Sequence, residues 1–411
     1  MEPHRVRKKF SRQDREKRTI LLCEMLEYHN VFLEAAFRAE GYSFETLKNP
    51  VKDRTQALRY ISNDYCYPSV LIVAQFLEYL ESGERSPEEV AFMEPQAGGA
   101  CRAGNIYNLL QRVLYKKDMQ IPVISLSLQT DEKHTGFKIT PGLLFGAAAA
   151  VCYGDLIMCL YQQVKPFEAV SGETDRVRGE VERSLCDSIR RHRNGRRTRM
   201  QNYRYAVERF GAIPLTGKAK PFVGITGEIY MKYSNLGNDN IESFILEHGG
   251  AAYSGGFLNY CIYLVDSEKY KAEKYLENRA LLKGYDFALD YLCGLQKQLF
   301  AAIGEDGRFF SDMPFAELKE KAEGIIDYGC NTGDGWLIAG EVVQYIERGC
   351  ENVLILHPFG CLVSHVCERG IMKKLHEKYP GINIQTIEYD YDQSRALRES
   401  RILLALSRSG S

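Results

Sequence analysis

Apolar and polar positions along the chain alternate in a way that predicts strand, helix and strand in turn. Thr19 to Glu24 (TILLCE) is a short apolar run that predicts a strand; helical periodicity follows through Ala39, and a second short strand is predicted at Phe44 to Leu47. Helices are predicted at Pro68 to Leu80 and Arg102 to Leu114, and strands at Val90 to Met93 and Pro122 to Leu126. This alternation implies a mostly parallel sheet with helices on both faces. From about residue 140 to 210 the periodicity is helical without a strand, which predicts a helical insertion. Alternation returns at Phe222 to Thr226 (FVGIT) and continues through the strands Asn352 to Leu356 and Asn383 to Ile387. Helices are predicted near Asp239 to His248, Ala280 to Ala302, Leu337 to Glu347 and Gln393 to Leu406. The expected fold is α/β, with two doubly wound (Rossmann/flavodoxin-like) parallel-sheet domains at residues 1–139 and 217–411 and a helical linking region at 140–216.

Composition narrows the function classes. Apolar residues make up 45% and charged residues 26%, so the chain is expected to fold into packed cores rather than stay disordered. A formal net charge of -1 supplies no field for drawing in nucleic acid, which is not an expected partner. The basic start carries Glu2, Asp14 and Glu16 and no apolar segment follows it, so neither a secretory signal nor a transit peptide is read there. Gly142 to Tyr161 is the most apolar stretch; Asp155 interrupts it, which fits a buried helix better than a membrane span. The expected location is cytoplasmic, without a membrane partner.

Twelve cysteines in a reducing compartment are core thiols or metal ligands rather than a disulfide framework. Three of them share one local design. Cys66 stands in Asn63-Asp64-Tyr65-Cys66-Tyr67-Pro68, with proline in the first turn of a predicted helix; Cys101 follows Gly98 and Gly99 between strand and helix; Cys361 follows a strand in His357-Pro358-Phe359-Gly360-Cys361. Helix starts carry unpaired N–H groups and a positive dipole end, which favour anions and are expected to lower a thiol's pKa. The adjoining glycines leave room for a bulky group, and the crevice beyond the strand ends is where open α/β sheets bind ligands. No C-x2-C pattern occurs, which disfavours zinc. Glu228, Asn63, Arg102, Asn105 and His365 are weaker polar candidates for the same crevice. The run Arg190, Arg191, Arg193, Arg196, Arg197 and Arg199 reads either as a solvated helix end and turn or as a docking patch for an acidic partner or CoA phosphates.

The segments NDYCYPSVLIVAQ, QAGGACRAGNIYNLL, YGDLIMCLYQQVKPFE with GETD, VGITGEIYMKYSNLGNDN, NTGDGWLIAGEV and HPFGCLVSHVCERGIMKKL resemble, in order and spacing, the C-terminal iron-sulfur module of acyl-CoA dehydratase activases. That superfamily also includes 2-hydroxyacyl-CoA dehydratase subunits and double-cubane cluster proteins. The resemblance implies an iron-sulfur cluster on Cys66, Cys101 and Cys361, with Cys330 as a fourth candidate ligand; 4Fe-4S is favoured, and an 8Fe-9S double cubane drawing on Cys330, Cys152, Cys350 or Cys367 stays open. It also implies a separate ATP-hydrolysing activator of actin-like fold, because this chain has no G-x-x-x-x-G-K-[ST] loop, and an acyl-CoA or other small substrate. In the helical block the resemblance marks Asp155, Pro166, Glu168 and Asp175, read as structural rather than catalytic. Val363 stands where many relatives have proline, and Gly333-Asp334-Gly335-Trp336 where GEGW is common. Enzyme and electron relay both remain open, as does a dimer. The competing readings are a cluster-free interaction module and a metal-free CoA or nucleotide enzyme using Gly98, Gly99 and Gly104 as a phosphate loop.

Overall fold

The structure is a computed structural model that describes residues 7–95, 101–126, 135–305, 307–391 and 394–407. Gly98 and Gly99 lie outside the described residues. Two four-stranded, all-parallel sheets carry the fold. The first consists of β1 (Thr19–Leu22), β2 (Phe44–Thr46), β3 (Val90–Pro95) and β4 (Val123–Leu126), in the order β2-β1-β3-β4. The second consists of β5 (Phe222–Gly227), β6 (Ala251–Ser254), β7 (Asn352–Pro358) and β8 (Asn383–Tyr389), in the order β6-β5-β7-β8. Each sheet is therefore wound second, first, third, fourth, the doubly wound order expected from the alternation. The central strand β7 (NVLILHP) is buried at every position, as a parallel strand covered on both faces requires.

In chain order, α1 (Arg12–Lys17), α2 (Asn30–Ala39), α3 (Tyr67–Ser82) and α4 (Ile106–Lys116) accompany the first sheet. The insertion holds α5 (Pro141–Val164), α6 (Glu173–Arg190) and α7 (Arg196–Gly211). The short helices α8 (Ile229–Tyr233), α9 (Asn235–Asn238) and α10 (Ile241–Glu247) lead to α11 (Phe257–Lys274), α12 (Leu282–Ile303) and α13 (Phe315–Ala322). The chain finishes with α14 (Leu337–Glu347), α15 (Arg369–Lys378) and α16 (Arg395–Ser407). Sequence periodicity missed β6 and α11. β6 is four residues, AAYS, after a Gly-Gly turn, too short and too small for the alternation of a strand to register.

The two halves do not keep separate cores. One buried cluster packs Leu21, Phe92 and Val123 of the first half with Ile225, Leu354 and Ile387 of the second. The largest cluster joins α2 and the insertion to the second sheet. Polar ties reinforce the join. The Glu24 carboxylate, just past β1, accepts the Ser234 hydroxyl at 2.5 Å and the Leu236 amide at 3.2 Å. Asp239 takes the guanidinium groups of both Arg54 and Arg398.

Among the described residues, α5 with the turn to Phe167 is the one helix long and apolar enough to cross a membrane, and 72% of its most apolar window is buried within the protein. Asp155 belongs to that core. Its carboxylate accepts the Phe257 and Leu258 amides at the start of α11, at 2.7 and 2.9 Å, and lies 2.8 Å from Nε2 of His29. Gly256 is required beside it, since a Cβ there would stand 2.5 Å from the carboxylate oxygen. Glu168 receives the amides of Gly172 and Thr174 and pairs with Lys165, which also pairs with Asp175. The arginine run forms the end of α6 and the start of α7; Arg199 is buried against the Asn194 carbonyl and the side chain of Gln298.

Candidate functional site

The winding order of each sheet reverses between its first and third strands, and loops leaving the carboxyl ends of those strands diverge to leave a crevice. Both crevices are furnished. In the first half, Glu24 follows β1 and Cys101 follows β3; in the second, Glu228 follows β5 and Cys361 follows β7. Cys66 reaches the same side from β2 through a loop and caps α3 in an extended conformation, φ -64° and ψ 148°.

Cys66, Cys101 and Cys361 line one small cavity, with Pro68, Arg102, Glu228, Pro358, Gly360, Leu362 and Val363 completing its wall. Cysteines from both halves thus meet in one place. Cys66 and Cys361 are buried, and Cys101 is half-buried. The turns that carry them are in direct contact. The Tyr67 amide donates to the Phe359 carbonyl at 3.0 Å, and Arg102 donates to the Asp64 carbonyl. Gly360 has φ +73°, and a Cβ there would lie 3.1 Å from both the Cα of Cys66 and the carbonyl oxygen of Tyr65. Its two virtues are separate: it adopts the left-handed backbone, and it lets the turns touch.

Cys66 and Cys361 do not follow the helix-start expectation. Burial pushes both Cys66 and Cys361 up from the ordinary thiol range, even though the Ser364 amide donates to Cys361 Sγ at 3.4 Å and Ser69 Oγ lies 3.0 Å from Cys66 Sγ. Desolvation of an anion outweighs the dipole of one helix turn when no cation is bound. Carboxyls nearby behave alike. Burial raises Glu228 to about 7 and Glu368 to about 8, and also lifts Asp334 well above the ordinary carboxyl range, with repulsion from Glu228, Glu368 and Glu341 adding to it. Burial thus favours the neutral form of each, and Glu228, in the cavity wall, is about half protonated at neutral pH. Arg102 is the one cation among the described residues lining the cavity.

Behind Cys361, Ser364 Oγ donates to Glu368 at 2.7 Å, and His357 Nδ1 lies 3.1 Å from the other oxygen of Glu368. His365 is outside the cavity wall; its ring packs against His357 at a tilt of 58°, and its Nδ1 is 2.8 Å from the Cys361 carbonyl. Asn63 and Asn105 are exposed and also outside it, whereas Arg102 and Glu228 line it. Sequence reading passed over Asp334 and Glu368. A signal for the first lay in Gly333-Asp334-Gly335, an acid between two glycines that both have positive φ.

Cys330 does not line the cavity. It packs with Cys367 in a small apolar cluster that also contains Cys361 and Val363. Cys152 and Cys350 are buried in the main core, apart from this region. Among the described residues, no group of three or more His, Cys, Asp or Glu side chains is gathered as ligands of a single metal ion. Donors of one zinc ion must lie within about 4.6 Å of one another, twice a zinc–sulfur bond, whereas a cube of iron and sulfide stands between its thiolates. Three thiols share this cavity wall, and Gly360 clears the turn beside Cys66, so Cys66, Cys101 and Cys361 are the residues that would hold such a group. No family model matches the chain, and no curated protein matches it in sequence.

Proposed function

We propose that this chain is an iron-sulfur redox protein of the 2-hydroxyacyl-CoA dehydratase and activase kind, with a cluster held by Cys66, Cys101 and Cys361. One observation carries the reading: three cysteines remote in sequence, from both halves, line a single cavity at the strand ends. When bound, such a cluster supplies one-electron transfer at low potential. The protein's own part is to fix the three thiols, to lessen the charge on Glu228 by burying it, and to offer Arg102 as a cation at the rim. Three thiolates would leave one iron of a 4Fe-4S cube for an outside ligand, and Arg102, Glu228 and Leu362 share the cavity wall with the three thiols. In this reading the electrons come from a separate ATP-hydrolysing activator of actin-like fold and pass to an acyl-CoA or to a partner protein.

Anaerobic purification with iron and sulfide assays and electron paramagnetic resonance tests the proposal. Brown protein with about four iron and four sulfide per chain is expected for one cube. Cys66→Ala, Cys101→Ala and Cys361→Ala should each lose it with helix content unchanged, and Cys330→Ala should keep it. Colourless protein after anaerobic reconstitution would instead favour the cluster-free interaction module.

A further inference from the structure

Cys330 and Cys367 take no part in the three-cysteine cavity, yet they are placed together by two unusual pieces of backbone. The first is the loop after α13. The Cys330 carbonyl accepts the Trp336 amide at 2.8 Å, and Gly333 and Gly335 both have positive φ; a Cβ on Gly335 would stand 2.1 Å from the Cys330 carbonyl oxygen. The loop is therefore curled tightly around Cys330. The second is a π-helical turn at Ser364–Glu368, where the Arg369 amide bonds back to the Ser364 carbonyl. Turns of this type insert a residue into a helix and occur often at functional positions. Cys367 sits on that turn, packed with Cys330. Burial, with the neighbouring Cys330 adding to it, pushes Cys367 up to about 12. Cys367 is buried and Cys330 half-buried, so one of the pair is reachable by a small reagent.

We infer that Cys330 and Cys367 are a reactive dithiol that closes to a disulfide when it meets a low-molecular-weight disulfide. The thiolate of Cys330 attacks one sulfur of the reagent and releases the other as a thiol; Cys367, losing its proton to solvent, then attacks the mixed disulfide at Cys330 and releases the second thiol. The protein pair loses two electrons and two protons, and the reagent gains them as two thiols. One apolar cluster holds both side chains, and Cys330, the less buried residue, is the entry point. The consequence reaches the main site. Cys361 and Val363 share one apolar cluster with this pair and also line the three-cysteine cavity, so drawing Cys330 and Cys367 together moves its wall.

The test is made on purified full-length protein stripped of metal, so that its outcome is independent of whether a cluster is held. Oxidised glutathione is titrated in, remaining thiols are alkylated, and digested peptides are analysed by mass spectrometry. A peptide pair linked through Cys330 and Cys367 is expected, forming about tenfold faster in the folded chain than in urea, where the intervening loop must close first. It should vanish in Cys330→Ser and in Cys367→Ser and persist in Cys101→Ser. Recovery of both cysteines as separately alkylated or separately glutathionylated peptides from folded protein overturns the inference, as does equal linkage in urea.

Discussion

The amide of Tyr67 and the carbonyl of Phe359 meet across 3.0 Å, joining the residue after Cys66 to the residue two before Cys361. Nearly three hundred residues of chain separate the two cysteines, and this single backbone bond closes that gap at the point where both helices begin. Such a bond fixes the spacing of the turns independently of any side chain, so the cavity is set by main-chain geometry.

Gly360 is where that geometry is most exposed to a single change. Gly360→Ala places a methyl 3.1 Å from backbone atoms of Cys66 and Tyr65 at a residue with φ +73°. A cost of about 1–3 kcal/mol is expected from the backbone conformation alone, and separation of the turns should lower iron content after reconstitution severalfold. Iron assay beside urea unfolding checks it; wild-type iron content would show that the contact is dispensable.

Lys232 and Glu341 form an ion pair at 2.7 Å with both side chains almost fully buried, and Thr226 donates to the same carboxylate. Lys232→Met strands Glu341 without its counter-charge and is expected to cost about 3–5 kcal/mol. The double variant Lys232→Met/Glu341→Leu should recover most of it. Fluorescence of Trp336, the sole tryptophan and fully buried near the start of α14, reads unfolding of this half; a double variant no better than the single one would contradict the account.

Glu368 predicts a pH dependence. Burial holds it up at about 8 against an ordinary 4.5, and His357 beside it is pushed down to about 4, first by burial, so it stays neutral and offers no counter-charge. Unfolding releases the Glu368 proton at any pH between those two values. Its contribution is complete below pH 4.5 and is lost as pH rises through 8, by up to about 1.4 kcal/mol per unit. Glu368→Gln removes this titration and keeps a neutral side chain. The stability difference, wild type minus variant, should therefore fall from pH 4.5 to 8 in urea titrations, and a flat difference would mean that Glu368 is ionised in the fold.

Asp155→Ala separates structure from chemistry. It removes the acceptor for two amides at the start of α11 and the partner of His29, with an expected loss of about 2–4 kcal/mol. Iron per folded chain should stay unchanged, as measured on protein that survives size-exclusion chromatography; loss of iron from folded protein would assign Asp155 a role at the cavity.

Much of this was legible beforehand, for identifiable reasons. Strands such as TILL and NVLILHP are buried on both faces and stand out as apolar runs, so the doubly wound order followed from alternation alone. Cys66, Cys101 and Cys361 were visible because a strand end, a turn residue and a helix start recur around each. β6 was hidden by its length and small side chains. The pairing of Cys330 with Cys367 depends on a π-helical turn, which leaves no periodic trace in sequence, and the raised thiols depend on burial, which no single segment reveals. Local pattern brought out the three cysteines; tertiary enclosure raised the thiols of Cys66 and Cys361.

Because two of the three cavity cysteines belong to one sheet's half and the third to the other, any group bound there bridges two bodies. Occupancy and association of the halves are then thermodynamically linked: a bound guest resists their separation, and a change that lets them part, at Glu24 and Ser234 for example, lowers affinity only by the share of molecules that open.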